Sequence, residues 1–311
     1  MREIKFLSKH NPEGVSIESC DMKPVRYKDT GIWVCSSEHM SELAREEAHH
    51  HDHDDQDPLD VHQLESWRNI YYHSLIWNNI KTLPKGQHLL EIGAGSGYDA
   101  AQFLPDYHMV LTDVSPETLV RLKDRLHDND TAMLSEPMYM ACDGEHLPFA
   151  NQQFDGVYMV ATFHHFSNYV QAVDEVARVL RPGGLLVLGI EPNKTYFKPL
   201  QWFQRFLYRI TGTDPHHISK ADAQMQGFTK GEFELLFGGD KWCELDVRPM
   251  WFLAGWVHYI LEFVYRTFKL KKRIKLPLSL EKGLVSFDEF LFSIPGLKFF
   301  CWHWIVNVKK K

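Results

Sequence analysis

The sequence predicts an α/β fold, a doubly wound and mostly parallel sheet with helices on both faces. Short apolar runs alternate with helical patterns between residues 88 and 190. Proline and glycine punctuate the two ends of that region, at Pro84 and Gly86 and again at Arg181-Pro182-Gly183-Gly184. Five apolar strands joined by helices make βαβ units, and the crossover rule lays such strands parallel in one covered sheet.

Residues 1–60 read as an irregular leader. They hold short strand-like pieces such as GIWVC (31–35) and a His/Asp tract, HHHDHDDQDP (49–58). Imidazole and carboxylate can bind a metal, but consecutive side chains on a tract without a partner cluster predict a solvated loop. From Leu64 to Ile80 apolar residues recur at helical spacing. HLLEI (88–92) reads as a buried strand and GYDAAQFL (97–104) as a helix. HMVLTD (108–113) is a second strand, and SPETLVRLKDRL (115–126) a helix with Ser115 as N-cap and Pro116 at its first position. PMYMACD (137–143) and FDGVYMVAT (154–162) are the third and fourth strands, YVQAVDEVARVL (169–180) is an amphipathic helix, and LLVLGI (185–190) is the fifth strand.

With 311 residues, 44% hydrophobic and 24% charged, the chain has the composition of a soluble globular protein. MREIKFLSKH is too polar for a signal peptide, and no apolar run reaches the length of a membrane span. Cys20, Cys35, Cys142, Cys243 and Cys301 are scattered, which predicts a reducing, cytoplasmic setting. The net charge of −7 is uneven: residues 241–311 hold 13 Lys and Arg against 6 Asp and Glu, and the first 240 hold 21 against 35. An acidic core argues against nucleic acid as a partner.

Chemistry gathers at the carboxyl ends of the strands, where ligands of such sheets sit. Gly93, Gly95 and Gly97 follow the first strand, and glycine there lets a chain turn sharply and a ligand touch the backbone. The spacing G-x-G-x-G, with Glu91 ahead of it, departs from the G-x-G-x-x-G of dinucleotide sites. Asp113 ends the second strand, where a carboxylate can accept both ribose hydroxyls of a nucleoside. Asp143 ends the third, where it can accept from an exocyclic adenine amine, with Leu147-Pro148-Phe149 to flank the ring.

EIGAGSG, the acid of LTD, DGEHLPF, FDGVYMVATFHHF and LRPGG together resemble a class I S-adenosylmethionine-dependent methyltransferase, of the branch that includes the ubiquinone and menaquinone C-methyltransferases. The resemblance covers about residues 65–190. It implies a Rossmann-like, seven-stranded sheet with S-adenosylmethionine as cofactor. It places Gly93, Gly95 and Gly97 under the methionine part and gives Glu91 the loop and the cofactor's amino end. Asp113 takes the ribose, Val114 lies against the adenine, and Asp143 bonds N6 with Gly144 and Glu145 alongside. Ala161, near the end of the fourth strand, joins this cofactor-binding set.

His164 and His165 end the fourth strand where an acceptor should approach, and are equal candidates for a general base; a structural pair is the alternative. CELDVRPM (243–250) and FFCWHWIVNV (299–308) complete the seven strands that the resemblance implies. The core then comprises 61–250 and 298–311, with a helical insertion at 251–297 before the last strand. Trp67, Tyr71 and Tyr72 of the early helix, FKPLQWFQRFLYRI (197–210) and the insertion are candidates to close over a substrate. Between Trp251 and Phe268 the only charges are Glu262 and Arg266 among seven aromatics, and KLKKRIK follows with five basic residues in seven. Two readings stay open for 251–275: a cap over the site, or a helix lying in an anionic membrane interface. Both fit a small-molecule or lipid-linked acceptor. A nucleic-acid or protein methyltransferase and a non-catalytic cofactor-binding module are the alternatives. ATFHHF stands where amino-methylating enzymes commonly carry N/D-P-P-F/Y, and the intact glycine loop and acids speak against the module.

Overall fold

The computed structural model describes residues 24–35, 40–52, 63–196 and 227–311, together with Val15, Trp202 and Arg209. Nine strands form one sheet: β1 (Val25–Tyr27), β2 (Ile32–Val34), β3 (His88–Ile92), β4 (His108–Asp113), β5 (Met138–Ala141), β6 (Phe154–Val160), β7 (Leu180–Pro192), β8 (Trp242–Met250) and β9 (His303–Lys310). Their spatial order is β1-β2-β5-β4-β3-β6-β7-β9-β8. Strands β5 to β7 are parallel as the crossover rule requires, while β9 runs antiparallel between β7 and β8.

The sheet exceeds the expected seven strands because the leader contributes two. β1 and β2 form an antiparallel hairpin, and β2 pairs in parallel with β5 at the edge of the sheet. The leader is therefore less irregular than its composition suggests. It also supplies α1 (Glu42–Asp52), so His49 to Asp52 of the His/Asp tract are helical rather than a loop; the rest of the tract, from His53, lies outside the described residues. Ser115 Oγ ties this helix to the core by donating to Asp52 Oδ1 at 2.6 Å.

The remaining helices are α2 (Trp67–Ile80), α3 (Pro116–Asp128), α4 (Tyr169–Val179), α5 (Lys230–Leu236), α6 (Leu253–Thr267) and α7 (Leu278–Ser293). Ser115 caps α3 as expected, accepting from the Thr118 N–H at 3.0 Å, with Pro116 inside the first turn. The stretch 97–104 differs from the predicted helix: only a short 3₁₀ turn, Ala100–Gln102, forms. Asp99 sends its carboxylate sideways to Trp77 and His73 instead of capping a longer helix. The segment 197–210 lies outside the described residues, Trp202 and Arg209 excepted.

Successive residues of a strand point to opposite faces, and here both faces are buried. Leu90 and Ile92 of β3 join the core on one side with Val173 and Val176 of α4. Leu89 joins the other, with Tyr72 and Ile76 of α2 and Leu119 and Leu122 of α3. Trp302 and Trp304, both fully buried, anchor β9; their indole N–H groups donate to the Phe252 and Phe228 carbonyls at 3.0 Å. The chain between β8 and β9 carries α6 and α7, fastened by two buried acids. Glu281 of α7 pairs with buried Arg68 of α2 at 2.6 Å. Asp288 accepts from the N–H groups of Phe252, Leu253 and Ala254, which open α6.

Candidate active site

The turn after β3 is left-handed at every other residue: φ is +75° at Gly93, +48° at Gly95 and +73° at Gly97. A side chain at Gly93 would place its Cβ 2.3 Å from Thr162 Oγ1, and one at Gly97 would crowd Leu122. At Gly95 nothing lies nearer than 4.0 Å, so the loop presents bare backbone to open space there. The Gly93 and Ala94 N–H groups donate to the Thr112 carbonyl, and the Gly95 N–H to Asp113 Oδ2 at 3.1 Å.

Each acid ends its strand and is nearly enclosed. Asp113 joins the glycine loop to the start of α3, its other oxygen accepting from the Ser115 N–H at 3.0 Å. Val114 beside it is half-buried. Asp143 accepts from the Glu145 N–H at 2.9 Å and lies 3.3 Å from His146 Nδ1. Burial raises its pKa above the usual carboxylate value, with those two contacts pulling it back. Gly144 has no room for a Cβ against Phe166 and Ile92. Glu145 uses its carboxylate on the N–H and hydroxyl of Ser167 and on the Asn168 N–H, so it clamps the start of α4. Glu91 is turned beneath the loop, accepting from the Tyr158 hydroxyl at 2.9 Å. Complete burial and then nearby Asp99 raise its pKa well above normal, which favours its neutral form. The loop N–H groups find Asp113 and Thr112 instead.

Three non-glycine residues have left-handed backbone at or near the carboxyl ends of β6, β7 and β8: Ala161 (φ +52°), Ile190 (φ +60°) and Trp251 (φ +57°). Such conformations cost about 1–3 kcal/mol each and collect at functional sites. Ala161 is exposed and leads into a 3₁₀ turn, Phe163–His165. At Ile190 the β7–β9 register shifts, and the next residue, Glu191, turns its carboxylate onto that 3₁₀ turn. Fully buried Glu191 accepts from the Phe163 and His164 N–H groups, each at 3.1 Å, and from His164 Nδ1 at 3.0 Å. Facing a carboxylate oxygen, Nδ1 is the nitrogen placed to donate, which leaves Nε2 as the acceptor nitrogen of the ring. His165, its ring 4.3 Å from that of His164, has a separate carboxylate: Glu47 of α1, 3.1 Å from its Nδ1. The two histidines are thus equal in sequence but not in surroundings, one clamped inside the sheet and one half-exposed against the leader.

His303 of β9 sits behind this pair. Burial, and then His164 and His258, lower its pKa to about 3, so it is neutral at any ordinary pH. Its Nδ1 is a buried nitrogen without a hydrogen-bond partner. Glu191, Glu47 and His303 were not predicted from sequence. Glu191 carries the same signal that marked Asp113 and Asp143, an acid ending an apolar strand; Glu47 and His303 carry none, because only the folded chain brings them near.

A nucleoside sulfonium fits these residues. Bare backbone at Gly95 would leave room for the methionine portion, Asp113 would keep lone pairs for a ribose, and Asp143, one strand further along, would meet the base. Residues 90–188 match the family model described as a methyltransferase domain. The chain is 31% identical over 109 residues to 27-O-demethylrifamycin SV methyltransferase of Amycolatopsis mediterranei, covering 34% of this chain and 39% of that protein. It is 30% identical over 119 residues to the ubiquinone/menaquinone biosynthesis C-methyltransferase UbiE of Vibrio parahaemolyticus, covering 37% and 45%. The chain thus spans less than half the length of the curated relatives it matches. In fold it is similar to the N-methyltransferase NodS of Bradyrhizobium japonicum, with TM-score 0.51, 13% identity and coverage of 86% of this chain and 99% of that one. Residues 90–188, about a third of the chain, are thus similar to the methyltransferase domain of these relatives.

Proposed function

We propose that this protein transfers a methyl group from S-adenosylmethionine to a small-molecule, lipid-linked acceptor, and that His164 is its general base. The observation that carries the reading is the Glu191–His164 contact at 3.0 Å, in the turn after β6 whose Thr162 lies against Gly93 of the glycine loop. S-adenosylmethionine, when bound, supplies an electrophilic methyl. The protein's part is to hold the acceptor in line and to take its proton. Glu191 keeps the His164 ring fixed and its Nε2 basic, and stabilises the imidazolium once the proton has arrived. Neutral His303 adds no competing positive charge behind it. An acidic hydroxyl or an acidified carbon is the acceptor such a base serves. Residues 251–297 serve as the cap: α6 brings Trp251 to His303, their rings 5.4 Å apart, and His303 lies behind His164.

The test incubates the protein with methyl-labelled S-adenosylmethionine and a whole-cell extract, then partitions the products between organic solvent and water. Label in the organic phase is expected. The same assay on His164→Ala is expected to lose about 10²–10⁴-fold in rate with cofactor affinity retained. Label confined to water refutes the lipid-linked acceptor, and a His164→Ala rate within about threefold of wild type refutes the base.

A further inference from the structure

The helices α6 and α7 turn an apolar, basic face to solvent. Along α7, Leu280, Phe287, Phe290 and Ile294 are exposed at spacings of seven, three and four residues, a continuous helical stripe. The opposite stripe, Glu281, Val285 and Asp288, is buried. Trp256, Ile260 and Phe268 repeat the pattern on and just beyond α6, whose inner side stacks Tyr259 on Trp302 at 4.6 Å. Phe299 and Phe300, after α7, are half exposed. A monomeric protein rarely leaves so much contiguous apolar surface without a partner.

The charges on this segment are sorted by side. Between Phe268 and Phe300 the acids are Glu281, Asp288 and Glu289. Glu281 and Asp288 are buried on Arg68 and on the start of α6, and Glu289 is drawn to Arg248 of β8 at 2.8 Å. Arg273 folds back onto Glu262 and over the Tyr265 ring. Lys269, Lys271, Lys272, Lys275 and Lys282 are exposed; Lys275 reaches Glu65 at 3.3 Å with both side chains in solvent. The acids face the protein and the lysines face outward, among exposed aromatics. No helix among the described residues is long and apolar enough to cross a membrane.

We infer that the outer face of α6, α7 and the lysine-rich connection between them docks on an anionic lipid surface. The apolar stripes enter the headgroup region and the lysines meet the negative lipids. Docking does not depend on methyl transfer, so the two ideas can fail separately. If both hold, the lipid surface lies on the outer side of the cap whose inner side meets His303.

The experiment sediments the full chain with vesicles of phosphatidylcholine, with and without phosphatidylglycerol, at low and high salt, and measures cofactor affinity by calorimetry on the same samples. Binding is expected only with phosphatidylglycerol and is expected to weaken with salt. The charge reversal Lys271→Glu/Lys272→Glu is expected to weaken it by about tenfold or more, and Phe287→Ser/Phe290→Ser is expected to abolish it. Both variants alter exposed residues, so cofactor affinity stays at the wild-type value. The inference is overturned if the wild-type chain remains in the supernatant, or if either double variant sediments like wild type. It is equally overturned if light scattering finds a dimer that Phe287→Ser/Phe290→Ser dissociates and that does not bind vesicles, since a second copy of the chain would then cover the face.

Discussion

Asp113 and His303 show how single residues divide the work of this site. Asp113 holds the Gly95 N–H, and its remaining lone pairs are the ones that would take a ribose. Asp113→Ala is therefore expected to weaken S-adenosylmethionine binding by about 10–100-fold, as loss of hydrogen bonds to a charged group does; calorimetric titration checks it, and unchanged affinity refutes the ribose role. His303 acts on stability. Its folded pKa of about 3 lies below its ordinary 6.5, so the unfolded chain takes up the proton first. The stability this group contributes is complete above pH 6.5 and falls as pH drops towards 3, by up to about 1.4 kcal/mol per pH unit. Thermal melts between pH 7 and 4 are expected to show a shallower acid loss in His303→Gln than in wild type; parallel curves would show that His303 does not set it. The strand-end acids Asp113 and Asp143 were legible because they lie next to apolar strands in sequence. The inequality of His164 and His165 was not, since it arises from Glu191 and Glu47, which lie far along the chain from them.

At the scale of elements, α6 and α7 are fastened by polar contacts across the chain. Arg68 and Glu281 are both buried, and removing one leaves the other a buried charge without its counter-ion, at a cost of about 3–5 kcal/mol. Glu281→Leu alone is expected to lower the denaturation free energy by that amount. Glu281→Leu with Arg68→Met is expected to recover most of it, which chemical denaturation of the two variants measures. Most strands and helices were readable from periodicity because their apolar residues face one core or the other. The stretch 97–104 was not, because Asp99 satisfies Trp77 and His73 in preference to extending a helix. The leader was not either: three-residue strands such as β1 hold too few positions for a pattern to show, and they exist only because β5 offers them an edge.

The described residues are built on one nine-stranded sheet. The glycine loop, Asp113 and Asp143 follow β3, β4 and β5, Ala161 and Trp251 follow β6 and β8, and Glu191 lies at the carboxyl end of β7. At the β8 end, a bulge with left-handed Glu244 breaks the ladder, and Pro249 lacks an N–H to offer. At the other end lies the hairpin of β1 and β2. Without it, Met138–Ala141 would present an open row of parallel-strand amides and carbonyls beside apolar side chains. A chain lacking residues 1–35 is expected to form soluble oligomers or precipitate at concentrations where the full chain remains dispersed, and light scattering would reveal it. The hairpin that looked like an unstructured preface thus works as a guard: it denies neighbouring molecules a template on which to stack.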